Sequence, residues 1–492
     1  MLKNYSDNIV SRFFKAAAAL WNSAAKYQIF VILAAIALLA ILPLFGVKQS
    51  NATNVVLNIT IFCAAAVAGF LLFRLKGSQM AAFTFAAALL LRLCLVFVLE
   101  NSTPYMSDDV RTRDFPWIRH YDSVLFQPDE FFYVYYGQRY EDTTISEFTS
   151  SPQFEDQSCR AGFLLSRMFR FFGEQSLWSR LFGAFLGASA AAIVALTAER
   201  LFSMDTAIII SLLSVVAPQT AFYSVRFLKE IWIIFATSLI VFGFAMIIKN
   251  KKTLSAIVSV VAAVAILMWI RLEYGLMFIS ALPLIYCFKG KINAAKRIMV
   301  ILAVIILMVI IFVYQSEQLR YKAENLYDKY TLSEESPHGR IEIMDEIYKS
   351  QGLLRIFNIP LAVLNPPPKD LYLIYAAENK LYDLVQKTDI YQWWPPLPFL
   401  IIGAIIIIIK HSEFMVFLVP YISVTIISAM LLGGLEPNLL RYRDSLAPIA
   451  FIIIGTGIES FIASPKGWKN RIVLTVYAAF VLLAVYFCTR GF

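Results

Sequence analysis

The chain has 492 residues, of which 59% are hydrophobic and 16% charged. A soluble domain carries about 25% charged residues, so most of this surface must be solvated by lipid and a soluble enzyme is excluded. The formal charge of +9 does not mark a nucleic-acid partner, because many Lys and Arg residues gather in short loops between apolar runs, where they set membrane orientation.

In chain order, residues 1–27 read as an interfacial helix. Ile9, Val10, Phe13, Phe14, Ala17, Leu20 and Trp21 recur at steps of three and four, beside Lys3, Arg12, Lys15 and Lys26, which suits an anionic leaflet. The apolar run from Tyr27 lacks a small-residue cleavage site and reads as a retained helix. Hydropathy then predicts about thirteen spans: 28–46, 54–74, 80–99, 179–201, 206–223, 230–249, 254–270, 273–288, 296–314, 396–410, 413–433, 445–462 and 471–489. Alternate loops carry Arg74 and Lys76, Arg200, Lys249 to Lys252, Lys289 to Arg297, Lys410, and Lys466 to Arg471. The positive-inside rule makes that side cytoplasmic. Residues 100–178 and 315–395 then face outward, and both are too long to be mere connectors.

The expected fold is all-α, a polytopic helical membrane protein with amphipathic helices in the first outer loop. It divides into the interfacial helix 1–27, two extra spans over 28–79, a core over 80–314, the outer segment 315–395 and C-terminal spans over 396–492. The first outer loop holds Asp108-Asp109, Asp114 and the stretch QPDEFFYVYYGQRY, in which Asp129 and Glu130 precede Phe131, Phe132, Tyr133, Tyr135, Tyr136 and Tyr140. Aromatics at this density belong at a headgroup interface. They would direct their rings to lipid and hold the carboxylates at the membrane surface. An acidic pair there equally suits a helix N-terminus. Arg160 and Arg167 lie two helical turns apart and suit lipid phosphates.

Three outer hairpins place arginine beside a carboxylate. APQTAFYSVRFLKE carries Tyr223, Arg226, Lys229 and Glu230; WIRLEYG carries Arg271 and Glu273; LEPNLLRYRDSLAP carries Arg441, Tyr442, Arg443 and Asp444. Arg226 with Glu230 also reads as an i,i+4 helix pair, and Arg271 and Arg443 as snorkelling anchors. Together they suit phosphate, because guanidinium forks bind it through two parallel bonds. In the second outer segment, Pro366 to Pro368 predict a stiff turn, and Trp393 and Trp394 read as an interfacial belt. Cys63, Cys94, Cys159, Cys287 and Cys488 are scattered, and the three histidines lie far apart, so neither a disulfide framework nor a metal spacing is evident. The paired acids leave a divalent cation open.

Four segments resemble the GT-C superfamily of polyprenyl-phosphate-dependent membrane glycosyltransferases, which includes protein O-mannosyltransferases and the aminoarabinose transferases that modify lipid A. LLLRLCLVFVLE is similar to the first core helix of that family, leading to an Asp-Glu-x-x-Tyr motif at Asp129, Glu130 and Tyr133. FGEQSLWSRLFGAFLGASAAAIVALTAERLF, with Gly173 and Arg180, resembles the second core helix. VVAPQTAFYSVRFLKEIWIIF, with Pro218, Tyr223-Ser224 and Glu230, resembles the following turn, and LLRYRDSLAPIAFIIIG, with Arg441, Tyr442 and Pro448, the start of a late helix. The chain departs from the family in its two extra N-terminal helices. Its acidic motif also lies about thirty residues beyond the first core helix, so that Asp108 or Asp109 is an alternative to Asp129.

The resemblance implies transfer of a sugar from a polyprenyl-phosphate donor to a glycan, lipid or protein acceptor on the outer face of a bacterial inner membrane. Asp129, with Glu130, would be catalytic. Arg226, Lys229, Arg271, Arg441 and Arg443 would hold the donor phosphate. Tyr133, Tyr223, Glu230, Glu273 and Tyr442 would shape the pocket. A lipid-linked oligosaccharide flippase, expected to carry polar residues at mid-bilayer, and an oligosaccharide polymerase or ligase are the alternatives. Arg92, well inside 80–99, is the residue that suits the flippase.

Overall fold

The computed structural model describes residues 54–75, 78–100, 128–172, 176–226, 229–249, 254–289, 295–296, 298–307, 310, 393, 395–432 and 444–463. The interfacial helix, the first and last predicted spans and nearly all of 315–395 lie outside the described residues. Within them, every regular element is a helix. Three helices are long and apolar enough to cross a membrane, or five spans if each of two bent pairs counts as one. The described part of the chain is all-α, with apolar helices of the length that crosses a membrane.

Helix α1 (Asn54–Leu75) and α2 (Gln79–Glu100) are each 22 residues, about 33 Å of rise. The connecting loop helices are α3 (Pro128–Arg139), α4 (Ile145–Thr149) and α5 (Gln157–Phe172). Helix α6 (Ser176–Leu201) is the central strut: 78% of its apolar window is buried, and its Ala184, Ala188, Ala191, Ala192 and Ala195 face a core cluster shared with Ala81, Ala82, Phe85 and Ala88 of α2. Lipid gives apolar helices no reason to associate, so small residues that let backbones approach must supply the packing.

Residues 206–223 were expected as one span. They form α7 (Met204–Val216) and α8 (Pro218–Ser224), bent by 52°. Pro218 sits at the first position of α8, and Ala217 before it has ψ 106°, the extended setting that a following proline enforces. Then come α9 (Glu230–Ile248), α10 (Leu254–Ile270), α11 (Leu272–Lys289), α12 (Ile298–Leu307), α13 (Leu397–Ile409), α14 (Met415–Leu432) and α15 (Ala447–Ala463). Helices α7, α9, α10, α11, α14 and α15 enclose a second core, with Ile449 and Ile452 to Ile454 fully buried. Leu254, Val261, Phe97 and Ile409 are 62–77% exposed, an outer surface that only lipid would solvate.

The tightest crossing joins α13 to α15. A Cβ on Gly403 would run into the Ile453 carbonyl, and one on Gly457 into that of Phe399. Near the C-terminal end of α15, Glu459 accepts from the backbone N–H (3.1 Å) and hydroxyl (2.7 Å) of Ser203 and so fastens α15 to the start of α7.

Candidate functional site

The site begins with the short helix α8, whose residues from Gln219 to Ser224 are all buried. Two glycines of α6 make room for it. A Cβ on Gly183 would strike the Ser224 carbonyl, and one on Gly187 would lie 2.5 Å from Ser224 Cβ and 2.6 Å from Arg92 Nε. Arg180 donates through Nη1 to the Val225 carbonyl at 2.8 Å, satisfying the end of α8 inside an apolar bundle, where an unmet carbonyl would be costly. These contacts fix the position of the next residue, Arg226.

Arg226 is paired with Glu130 of α3, Nε to Oε1, at 3.1 Å, with both side chains 0% exposed. Its guanidinium also lies 4.9 Å from the Phe222 ring centre. Both terminal nitrogens, Nη1 and Nη2, are buried without a hydrogen-bond partner among the described residues. Arg226 lines a cavity of about 40 Å³ with Tyr133 of α3, Ala161, Leu165 and Met168 of α5, Ser179, Phe182, Gly183 and Leu186 of α6, and Lys229, Ile231 and Trp232. That is space for a few waters at about 10–15 Å³ each. Four stretches of chain therefore meet there.

The loop helices close over this cavity because they pack closely on each other. On α3, a Cβ at Gly137 would sit 2.8 Å from the Phe169 ring, and on α5 a Cβ at Gly162 would run into Tyr136. Arg167 donates to the carbonyls of Tyr140, Glu141 and Thr143, tying down the turn after α3. Phe148 stacks on Phe163 at 4.3 Å, and Phe154 meets Trp269 edge-on at 5.4 Å. Of the rings expected to face lipid, Tyr133 and Tyr140 are instead buried and Tyr135 and Tyr136 half-buried, because the loop helices lie on the bundle; the side chains of Phe131 and Phe132 lie outside the described residues. Arg167, expected at lipid phosphates, is likewise committed to backbone carbonyls. Burial raises the Tyr136 and Tyr140 hydroxyls and lowers the Arg160 guanidinium, which the neighbouring Glu273 partly restores.

Among the predicted residues, Glu130, Tyr133, Arg226 and Lys229 come together at this cavity. Tyr223 packs with Tyr133 and Ala161 in one apolar cluster, and Glu230 is fully buried at the start of α9. Arg226 pairs with Glu130, not with Glu230 as the helical spacing suggested. Arg271 lies outside the cavity lining; it faces Glu273 at 3.8 Å and the Tyr274 ring at 5.7 Å. Asp129 is the second residue of α3, but its side chain lies outside the described residues, as do Asp108, Asp109, Arg441, Tyr442 and Arg443. Asp444 is buried and accepts from Trp393 Nε1 at 2.8 Å, so Trp393 is a core residue and not part of an interfacial belt. Among the described residues no three His, Cys, Asp or Glu side chains converge; the acids that left a divalent cation open are mostly outside that set.

Ser179 and Trp232 line the cavity without having been singled out in the sequence. A serine one turn into an apolar helix carries no signal of its own, and Trp232 reads as any membrane aromatic. Compared with family models, curated proteins and solved structures, the chain matches none of them.

Proposed function

We propose that this chain is a GT-C-like membrane glycosyltransferase with about thirteen spans. It moves a sugar from a polyprenyl-phosphate donor to a glycan, lipid or protein acceptor on the outer face of a bacterial cytoplasmic membrane. The observation that carries the reading is the buried Arg226. Its Nε is held by Glu130, and its two terminal nitrogens have no partner among the described residues, beside a cavity with apolar walls. A guanidinium so prepared suits a phosphate oxyanion. The positive-inside pattern supports the outward orientation.

In the reaction, the acceptor hydroxyl oxygen forms a bond to the anomeric carbon as its proton passes to the Asp129 carboxylate. The bond from that carbon to the phosphate oxygen breaks, and its electron pair leaves with the polyprenyl phosphate. Arg226 and Lys229 stabilise the charge that develops there. Glu130, committed to Arg226, is a positioning residue. In membranes supplied with radiolabelled polyprenyl-phosphate sugars, label should move to acceptor only when the chain is present. Asp129→Asn should abolish transfer at normal protein levels, and retained turnover would reject the assignment of the base.

A flippase reading draws on Arg92, 1% exposed within α2, with one hydrogen bond to the Ala88 carbonyl at 3.1 Å and an Nε without a partner. A charge held inside a span is a mark of transport. Translocation of a fluorescent lipid-linked sugar in vesicles, without label transfer, would favour it.

A further inference from the structure

Buried hydroxyls in this bundle commonly bond back to their own helix. Ser166 donates to Phe163 O, Thr197 to Ile193 O, Ser211 to Ala207 O, Ser280 to Met277 O and Thr456 to Ile452 O, at 2.6–3.0 Å. This is the usual way a helical hydroxyl is satisfied away from water. Ser179 departs from the pattern, as Thr237 and Thr425 do, but of these three it alone lines the cavity. It is 8% exposed, its Oγ is buried without a hydrogen-bond partner among the described residues, and it lines the cavity beside Arg226. Leaving such a group unmet is unfavourable, so a partner from outside the chain is the natural occupant.

Ser179 and Arg226 come from different elements, α6 and the turn after α8. The Arg226 fork, through Nη1 and Nη2, can engage two oxygens of an anion in one plane. A carboxylate has only those two. A third donor arriving from another helix finds its own oxygen on a tetrahedral phosphoryl group. We propose that Ser179 is a binding residue of this pocket that selects a phosphoryl group over a planar carboxylate. The inference rests on the reading of the pocket as the site of the donor phosphate, and it adds the residue and the basis of discrimination.

The test uses the purified full-length chain in detergent and follows tryptophan fluorescence, since Trp232 borders the cavity. The probes are farnesyl monophosphate and a carboxylic acid of matching chain. Wild type should prefer the phosphate by roughly ten- to hundredfold, the worth of one hydrogen bond to a charged group. Ser179→Ala should bring the two within about threefold by weakening phosphate alone; Ser179→Thr, which keeps the hydroxyl, should restore the preference. A merely structural serine would alter both affinities together. Should S179A keep the full preference, or wild type bind both probes alike, the role of Ser179 is overturned while an anionic lipid pocket stands. Should wild type bind neither, the pocket reading and this inference fall together.

Discussion

Arg226→Met and Glu130→Ala break the same ion pair, so their costs should not add. Both side chains are fully buried, at 3.1 Å, and removing one partner of such a pair costs about 3–5 kcal/mol because the other charge stays buried. Removing both takes both charges out of the interior, so the double variant avoids the second penalty. Independent sites would together cost about 6–10 kcal/mol, whereas the double variant should fall short of the sum of the single penalties by about 1.5 kcal/mol or more. Unfolding midpoints of the purified wild type and the three variants in detergent give that coupling. Additive penalties would refute the reasoning.

Gly403→Ala and Gly457→Ala each drive a methyl into a facing carbonyl; each should cost about 1–3 kcal/mol or more by overpacking, read as a lower thermal midpoint. Trp393→Phe removes the donor to the buried Asp444 carboxylate and should cost about 1–3 kcal/mol in the same assay. The Thr144 backbone N–H (2.7 Å) and hydroxyl (2.8 Å) hold the Glu147 carboxyl below the usual range. That capping contribution is full above about pH 4.3 and disappears as pH falls through the lower folded-state value. Nicking of the 141–150 segment by an acid protease should accelerate over that window in wild type, and Glu147→Gln should remove the pH dependence.

Hydropathy alone predicted helices for runs such as GAFLGASAAAIVAL and IAFIIIG, whose continuous apolar character suits a backbone satisfied within its own segment, and the described residues there are helical. The same pattern gave no sign of the 52° bend within 206–223, because average hydropathy hides the local effect of Pro218 on Ala217. Aromatic density located the loop helices but not their facing. A ring at a lipid boundary and a ring buried under a second helix have the same sequence, and Gly137 and Gly162 decided the matter by letting α3 and α5 close on one another.

By itself the sequence indicated helices with apolar surfaces, together with acids and arginines in the segments between the apolar runs, since these follow from composition and local order. Only the tertiary structure decided which charge meets which. Arg226 passes over Glu230, four residues away, for Glu130, 96 residues away in the chain. The physical reason is that an ion pair in a low-dielectric interior requires its partners at contact distance, and α8, seated on Gly183 and Gly187, carries Arg226 to α3. Ser179 becomes notable for the same reason: a hydroxyl without a partner is a property of its surroundings, which no run of residues records.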